Sequence, residues 1–281
     1  MVADYIKRTF DTAEGIMKNP RYVIMNDDNL EKLAKKMKDE GKRPFPKLIN
    51  SVKDIIKIEL VACSINYCFW LGRYDFYPAG GGSNLIYDFV MEAIEPDGPS
   101  YLTVDEYDKI FSSILSSGLP MAEQRIHHLC EFEGFCFDEI EVEDWDVNTT
   151  LNFILRWLPG FSGDPFLKRA ILYIIQLYRQ KGLFADEIDK VFVPADYQIP
   201  KVLRYDFNAL SYAGDLKEKI QHHELIPENS QMELEIRAST IIACRKLSEL
   251  TGWNASDVDS WLWLRRKQVD EPFHLTITTN Y

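Results

Sequence analysis

Apolar residues recur at helical spacing through most of this chain, and start and stop residues cut the pattern at short intervals. Few folds are open to such a chain besides a packed set of helices. Asp4 to Met17 forms a first helix, ended at Asn19-Pro20, and Asn26 to Asn29 caps a second through Lys38, stopped at Gly41. Thr103-Val104-Asp105-Glu106 is a capping box for a helix to about Ser116. Asp164-Pro165 supplies an N-cap and a first-turn proline for a helix through Lys181, stopped at Gly182. A long helix runs from about Met232 to Leu250, and Asn254 to Asp257 caps the last one, which presents Asp259, Trp261 and Trp263. From Leu48 to Trp70 the apolar spacing turns helical and then nearly continuous, as in a buried segment. Only Tyr22 to Met25 and His274 to Thr278 look extended. No repeat or low-complexity tract interrupts the 281 residues. The expectation is a mainly α chain forming a single compact helical domain over 1–281.

A formal net charge of −12 argues against a protein that grips a nucleic-acid backbone, since such affinity comes from Lys and Arg neutralising phosphates. A small anionic ligand needs only a local basic pocket. The five cysteines include no C-x-x-C pair, which predicts buried free thiols in a reducing compartment. The first residues lack the apolar region of a signal peptide, and no apolar run approaches the roughly 20 residues of a membrane span. A cytoplasmic, monomeric protein is expected. His127, His128 and Cys130 do not suggest a metal site, because adjacent helical residues point about 100° apart and no second ligand cluster accompanies them. Pro78 to Asn84 is a glycine-rich stretch without phosphate-loop spacing, expected to be a plain connection. The acidic run Asp138 to Asp144 is expected to be solvated.

Three places point towards chemistry. Pro194-Ala195-Asp196-Tyr197-Gln198-Ile199-Pro200 follows an apolar run and leads into a helix, so Asp196 lies on a constrained segment. That carboxylate either caps the helix or takes part in a reaction. Lys168 and Arg169 sit early in their helix, where positive charge opposes the helix dipole, and an anionic ligand is one reason for keeping it there. Arg237 lies within an apolar helical stretch and needs an acidic partner or a ligand; Glu233 shares its face and Glu235 does not.

The segment Ala195-Asp196-Tyr197-Gln198-Ile199-Pro200-Lys201-Val202-Leu203 resembles the A-D-Y-x-[LI]-P-x-V-L block of the queuosine salvage protein family, the queuosine 5′-phosphate N-glycosylases. Five further blocks match in order: Ile65 to Trp70, Phe166 to Ala170, Glu233 to Ala238, Leu262-Trp263, and Pro272 to His274 with Tyr281. The resemblance implies a helical fold similar to DNA glycosylases and hydrolysis of queuosine 5′-monophosphate to queuine and ribose 5-phosphate. It implies a small-molecule nucleotide substrate, no cofactor, no metal and no direct contact with nucleic acid. Cleavage of an N-glycosidic bond passes through an oxocarbenium-like sugar, which a carboxylate can stabilise. Queuine is a 7-deazaguanine, so protonation at N7 is closed to it. Asp196 and Asp259 are the catalytic candidates, with Asp259 placed on the sugar side and Asp196 with the base. Asn66, Phe69, Trp70, Tyr197 and Trp263 are candidate contacts to the base, the aromatic ones by stacking. Lys168, Arg237 and His274 are the phosphate candidates.

The chain departs from some relatives in two places. Leu264 follows the Leu-Trp pair where those have an acid, and Pro194 stands where those have an aromatic. Leu264 supports an alternative, a helical module that binds queuine or its nucleotide without cleaving it. A nucleic-acid repair glycosylase is a third reading, resting on fold analogy alone and opposed by the charge.

Overall fold

A computed structural model describes residues 3–48, 50–71, 75–76 and 81–281. Among them the chain forms twelve α-helices: α1 (Tyr5–Met17), α2 (Asp27–Glu40), α3 (Val52–Ser64), α4 (Gly82–Ala93), α5 (Val104–Ser117), α6 (Ala122–Cys130), α7 (Val147–Trp157), α8 (Lys168–Lys181), α9 (Gln198–Tyr205), α10 (Gly214–Gln221), α11 (Gln231–Thr251) and α12 (Ala255–Arg265). The strands are β1 (Val23–Met25), β2 (Trp70–Leu71), β3 (Asp75–Phe76) and β4 (Leu210–Tyr212), paired antiparallel as β1 with β4 and β2 with β3. The mainly α expectation holds. None of the described helices is long and apolar enough to cross a membrane.

The chain divides into two units, neither continuous in sequence: one of residues 47–185 with 278–281, the other of residues 4–46 with 186–277.

In the first unit α3 is the central helix, buried from Asp54 through Ser64, with α4, α6 and α8 packed on it. Its charged residues survive burial by pairing. Lys57 Nζ lies 2.8 Å from Glu106 Oε1 and donates to the carbonyls of Pro99 and Tyr101 at 3.2 and 2.9 Å. Glu106 also completes the capping box predicted at Thr103, accepting the Thr103 N–H at 2.8 Å. Glu59 makes no ion pair among the described residues: Tyr87 donates to it at 2.5 Å, and burial, opposed by that bond and by the charge of Arg179, pushes its carboxyl up to about 7. The helical segment expected to reach Trp70 ends at Ser64, and residues 65–69 are irregular. The glycine-rich connection is shorter than expected: Pro78 to Gly80 lie outside the described residues, and helix begins at Gly82. A Cβ at Gly82 would sit 2.1 Å from Phe69 Cδ1, so the absent side chain lets that ring lie against the start of α4. Helix α8 begins later than its proline suggested, at Lys168, because the Asp164 carboxylate turns the chain by accepting the Phe166 and Lys168 N–H groups at 2.9 and 2.7 Å. The acidic run is a turn whose carboxylates face solvent while Ile140 and Val142 point inward.

In the second unit α11 is the axis, and α1, α2, α9 and α12 pack on it. Glu233 and Arg237 pair on α11 at 3.2 Å, both essentially inaccessible. The partner of Arg237 is therefore the acidic neighbour one turn back. Glu235, on another face, accepts the backbone N–H groups of Arg21, Tyr22 and Val23 at 2.9, 2.7 and 3.1 Å, which fixes the start of β1.

Candidate active site

The predicted site residues fall into two groups by unit. Asn66, Phe69, Trp70 and Lys168 belong to the first; Asp196, Tyr197, Arg237, Asp259, Trp263 and His274 belong to the second.

In the first unit the turn from Ser64 to Cys68 exposes a row of carbonyls with no helix or sheet to satisfy them, and cations do so. Arg169 donates to Ser64 O and Gly160 O, Lys168 to Asn66 O at 3.1 Å, and Arg125 to the carbonyls of Ile65, Tyr67 and Cys68. The Arg125 guanidinium also lies 4.4 Å from the Tyr67 ring centre and 5.0 Å from that of Phe69. His128 packs edge-on to Tyr67 at 5.4 Å, and burial beside Arg169 lowers its pKa to about 4. The positive charge at the start of α8 thus has a partner in the backbone. Asn66 points its amide at Ser83 Oγ, 3.0 Å away. Phe69 and Trp70 are buried.

The second unit carries the arrangement with chemical capacity. Asp196 Oδ1 accepts the N–H groups of Gln198 and Ile199 at 2.7 and 3.1 Å, so the carboxylate does cap α9. Oδ2 meets no hydrogen-bonding partner among the described residues, and the side chain is half-buried. Capping and chemistry are therefore compatible: one oxygen fixes the orientation and the other remains available. Asp259 is buried on α12, and both aspartates act electrostatically on the Cys244 thiol, whose pKa burial and these charges push well up. Arg266 in turn is influenced by Asp196, Tyr197 and Asp259, while burial lowers its pKa to about 10. Tyr197 stacks on Phe273, ring centres 4.7 Å apart.

The remaining predicted residues have structural partners. Arg237 Nε donates to Ala195 O at 3.0 Å, so the Arg237–Glu233 pair supports the segment that carries Asp196. His274 is buried beside Arg237, and burial, then that charge, lowers its pKa to about 3, leaving it neutral at pH 7. One face of Trp263 is covered by the Arg266 guanidinium, 3.1 Å from a ring centre, and Phe45 lies tilted against the indole at 5.5 Å. Among the described residues no cluster of three or more His, Cys, Asp or Glu could hold a metal ion.

Sequence reasoning gave no role to Phe45, Lys201 or Arg266. Lys201 Nζ donates to the carbonyls of Arg266 and Val269 at 3.1 and 2.9 Å, and burial lowers its pKa to about 8. Arg266 stands three residues beyond Trp263, and continuing the α12 pattern by one turn would have found it.

Residues 163–281 match the family described as Queuosine salvage protein. The chain is a relative of the queuosine salvage proteins. It is 25% identical over 258 residues to the queuosine 5′-phosphate N-glycosylase/hydrolase of Dictyostelium discoideum, covering 80% of this chain and 78% of that one. To the protein of the same name from Sphaerobacter thermophilus it is 27% identical over 264 residues, covering 79% and 80%. The Nematostella vectensis protein of that name is 29% identical over 182 residues, 56% of this chain and 52% of its own. The matched queuosine salvage segment contains Lys168 and every predicted site residue of the second unit.

Proposed function

We propose that this chain is an N-glycosidase that hydrolyses queuosine 5′-monophosphate to queuine and ribose 5-phosphate, releasing the base for reuse in tRNA modification. The observation that carries the reading is Asp196, with Oδ1 tied to two backbone N–H groups and Oδ2 unengaged among the described residues. The names of the relatives support the substrate.

The oxygen available at Asp196 suits the sugar side, reversing the order expected from sequence. As the anomeric carbon loses the base, positive charge grows there, and a carboxylate held in place meets it without reorganising. The same Oδ2 can orient the attacking water. Buried Asp259 then serves the base, as acceptor for its guanine-like N–H edge. Electrons of the breaking C–N bond leave with the base, which takes a proton at an atom other than N7. Tyr197, backed by Phe273, adds apolar area beside Asp196. Residues 1–281 work here as one domain, a reading supported by the repeated passage of the chain between units and by relatives aligned over most of it. The protein acts as a cytoplasmic monomer without touching nucleic acid, which a net charge of −12 supports.

The test is mass spectrometry for free queuine after incubation with queuosine 5′-monophosphate. Wild type is expected to release it and Asp196→Asn to fail. Tight binding without release would replace this reading with the non-catalytic binding module and direct attention to Leu264.

A further inference from the structure

A nucleotide substrate carries a phosphate that needs a cation, and each cation expected to meet it is engaged otherwise. Lys168 holds the Asn66 carbonyl, Arg237 holds Glu233 and the Ala195 carbonyl, and His274 is buried and neutral. Arg266 differs from all three. Its guanidinium lies over the Trp263 ring, 3.1 Å from a ring centre, and Nη1 donates to the Trp263 carbonyl at 2.6 Å. Nε and Nη2 meet no acceptor among the described residues. The group is half-buried, so its charge is weakly screened, and both aspartates of the candidate site act on it. The indole contact and the carbonyl bond hold the guanidinium at two points, which restricts the two remaining donors. Lys201 reinforces this by holding the carbonyls of Arg266 and Val269, which sets the 3₁₀ turn (Arg266–Gln268) that carries the arginine. A second positive charge accompanies the first, and burial, then the charge of Arg266, lowers the basicity of Lys201.

We infer that Arg266 binds the 5′-phosphate of the nucleotide through Nε and Nη2, and that this contact makes the protein prefer nucleotide to nucleoside. The inference rests on the glycosidase reading and deepens it. A phosphate monoester accepts two parallel N–H bonds from a guanidinium, a match a carbonyl or a neutral hydroxyl does not offer. The phosphate lies one ribose away from the bond being broken, so a cation influenced by Asp196 and Asp259 is suitably placed. Lys201 acts as a positioning residue.

Two measurements on Arg266→Gln and Arg266→Lys test this. In the first, kcat/KM is compared for queuosine 5′-monophosphate and for queuosine. Arg266→Gln is expected to lose about 100-fold on the nucleotide, and less than about tenfold on the nucleoside, so that the preference collapses. Arg266→Lys, charged but without the fork, is expected to fall between. Equal losses on both substrates would overturn the assignment, because a structural role moves both. In the second, binding of ribose 5-phosphate is followed by calorimetry, with circular dichroism confirming that each variant is folded. Wild type is expected to bind and Arg266→Gln to lose at least tenfold in affinity; unchanged affinity, or no binding by wild type, overturns the inference. If wild type cleaves neither substrate, the glycosidase reading fails, and the calorimetry still decides Arg266.

Discussion

The turn at Ser64 to Cys68 and the segment at Asp196 both gather charge around irregular backbone, with opposite results. In the turn, three cations surround a row of carbonyls and each is engaged with the backbone it supports. At Asp196 only half the carboxylate is used by the backbone, and nearby Arg266 uses one nitrogen of three. The turn carries a block that resembles the family, and the Asp196 segment lies within the residues 163–281 that match it, so likeness alone does not say what either region does. What separates them is unused hydrogen-bonding capacity: a polar group whose partners all lie within the fold stabilises it, and one with capacity left over can act on a ligand.

The sharpest way to break this comparison is to remove an arginine from each region. Arg125→Met should cost about 3–5 kcal/mol in urea denaturation, since it strips several buried carbonyls of their donor. Arg266→Met should cost under about 1 kcal/mol, because its guanidinium is half-buried and makes a single hydrogen bond. Equal costs would mean that both arginines are structural. Asp196→Asn comes next. Its amide oxygen can still accept from Gln198 and Ile199, so stability should stay within about 1 kcal/mol while queuine release falls by roughly 10²–10³.

The two units should also respond to pH in opposite directions. Glu59 in the first has a folded pKa of about 7, above its ordinary value of 4.5, so the folded state binds the extra proton and stability falls as pH rises between the two. His274 in the second has a folded pKa of about 3, below its ordinary 6.5, so the unfolded state binds the extra proton and stability falls as pH drops through that interval. Fully expressed, the shifts correspond to changes of about 3 kcal/mol for Glu59 and about 5 kcal/mol for His274. Glu59→Gln should flatten the loss towards pH 7, and His274→Asn the loss below pH 6.5, in denaturation curves recorded across pH. Gly82→Ala tests packing alone. The new methyl group would displace the Phe69 ring and cost about 1–3 kcal/mol in the same assay, sharpening the view that Phe69 is packed for the fold.

How far the sequence foretold all this depended on the distance between partners. The capping box at Thr103 and the cap at Asn26 appeared as expected, because a cap and the N–H it serves are three residues apart. The Arg237–Glu233 pair was legible for the same reason, one helical turn separating its members. Lys168 and Arg169 were not legible as carbonyl donors to the turn, since Asn66 and Ser64 lie about a hundred residues away and carbonyls leave no trace in sequence. Asp196 was recognisable as constrained, but only coordinates distinguish the oxygen that caps from the oxygen that does not. Phe45 stands between Pro44 and Pro46, and its contact with Trp263 depends on tertiary packing.

The interleaving of the two units has a consequence for synthesis. Helices α1 and α2 leave the ribosome before residues 47–185, yet the helix that covers them, α11, is translated only after those residues have been made. Until then Leu30, Leu33, Ala34 and Met37, all buried in the finished protein, have no α11 to rest on. Such contacts, remote in sequence, delay folding and leave apolar surface open to chaperones or to aggregation. The part of the molecule that carries both aspartates is therefore also the part whose assembly waits for nearly the whole chain.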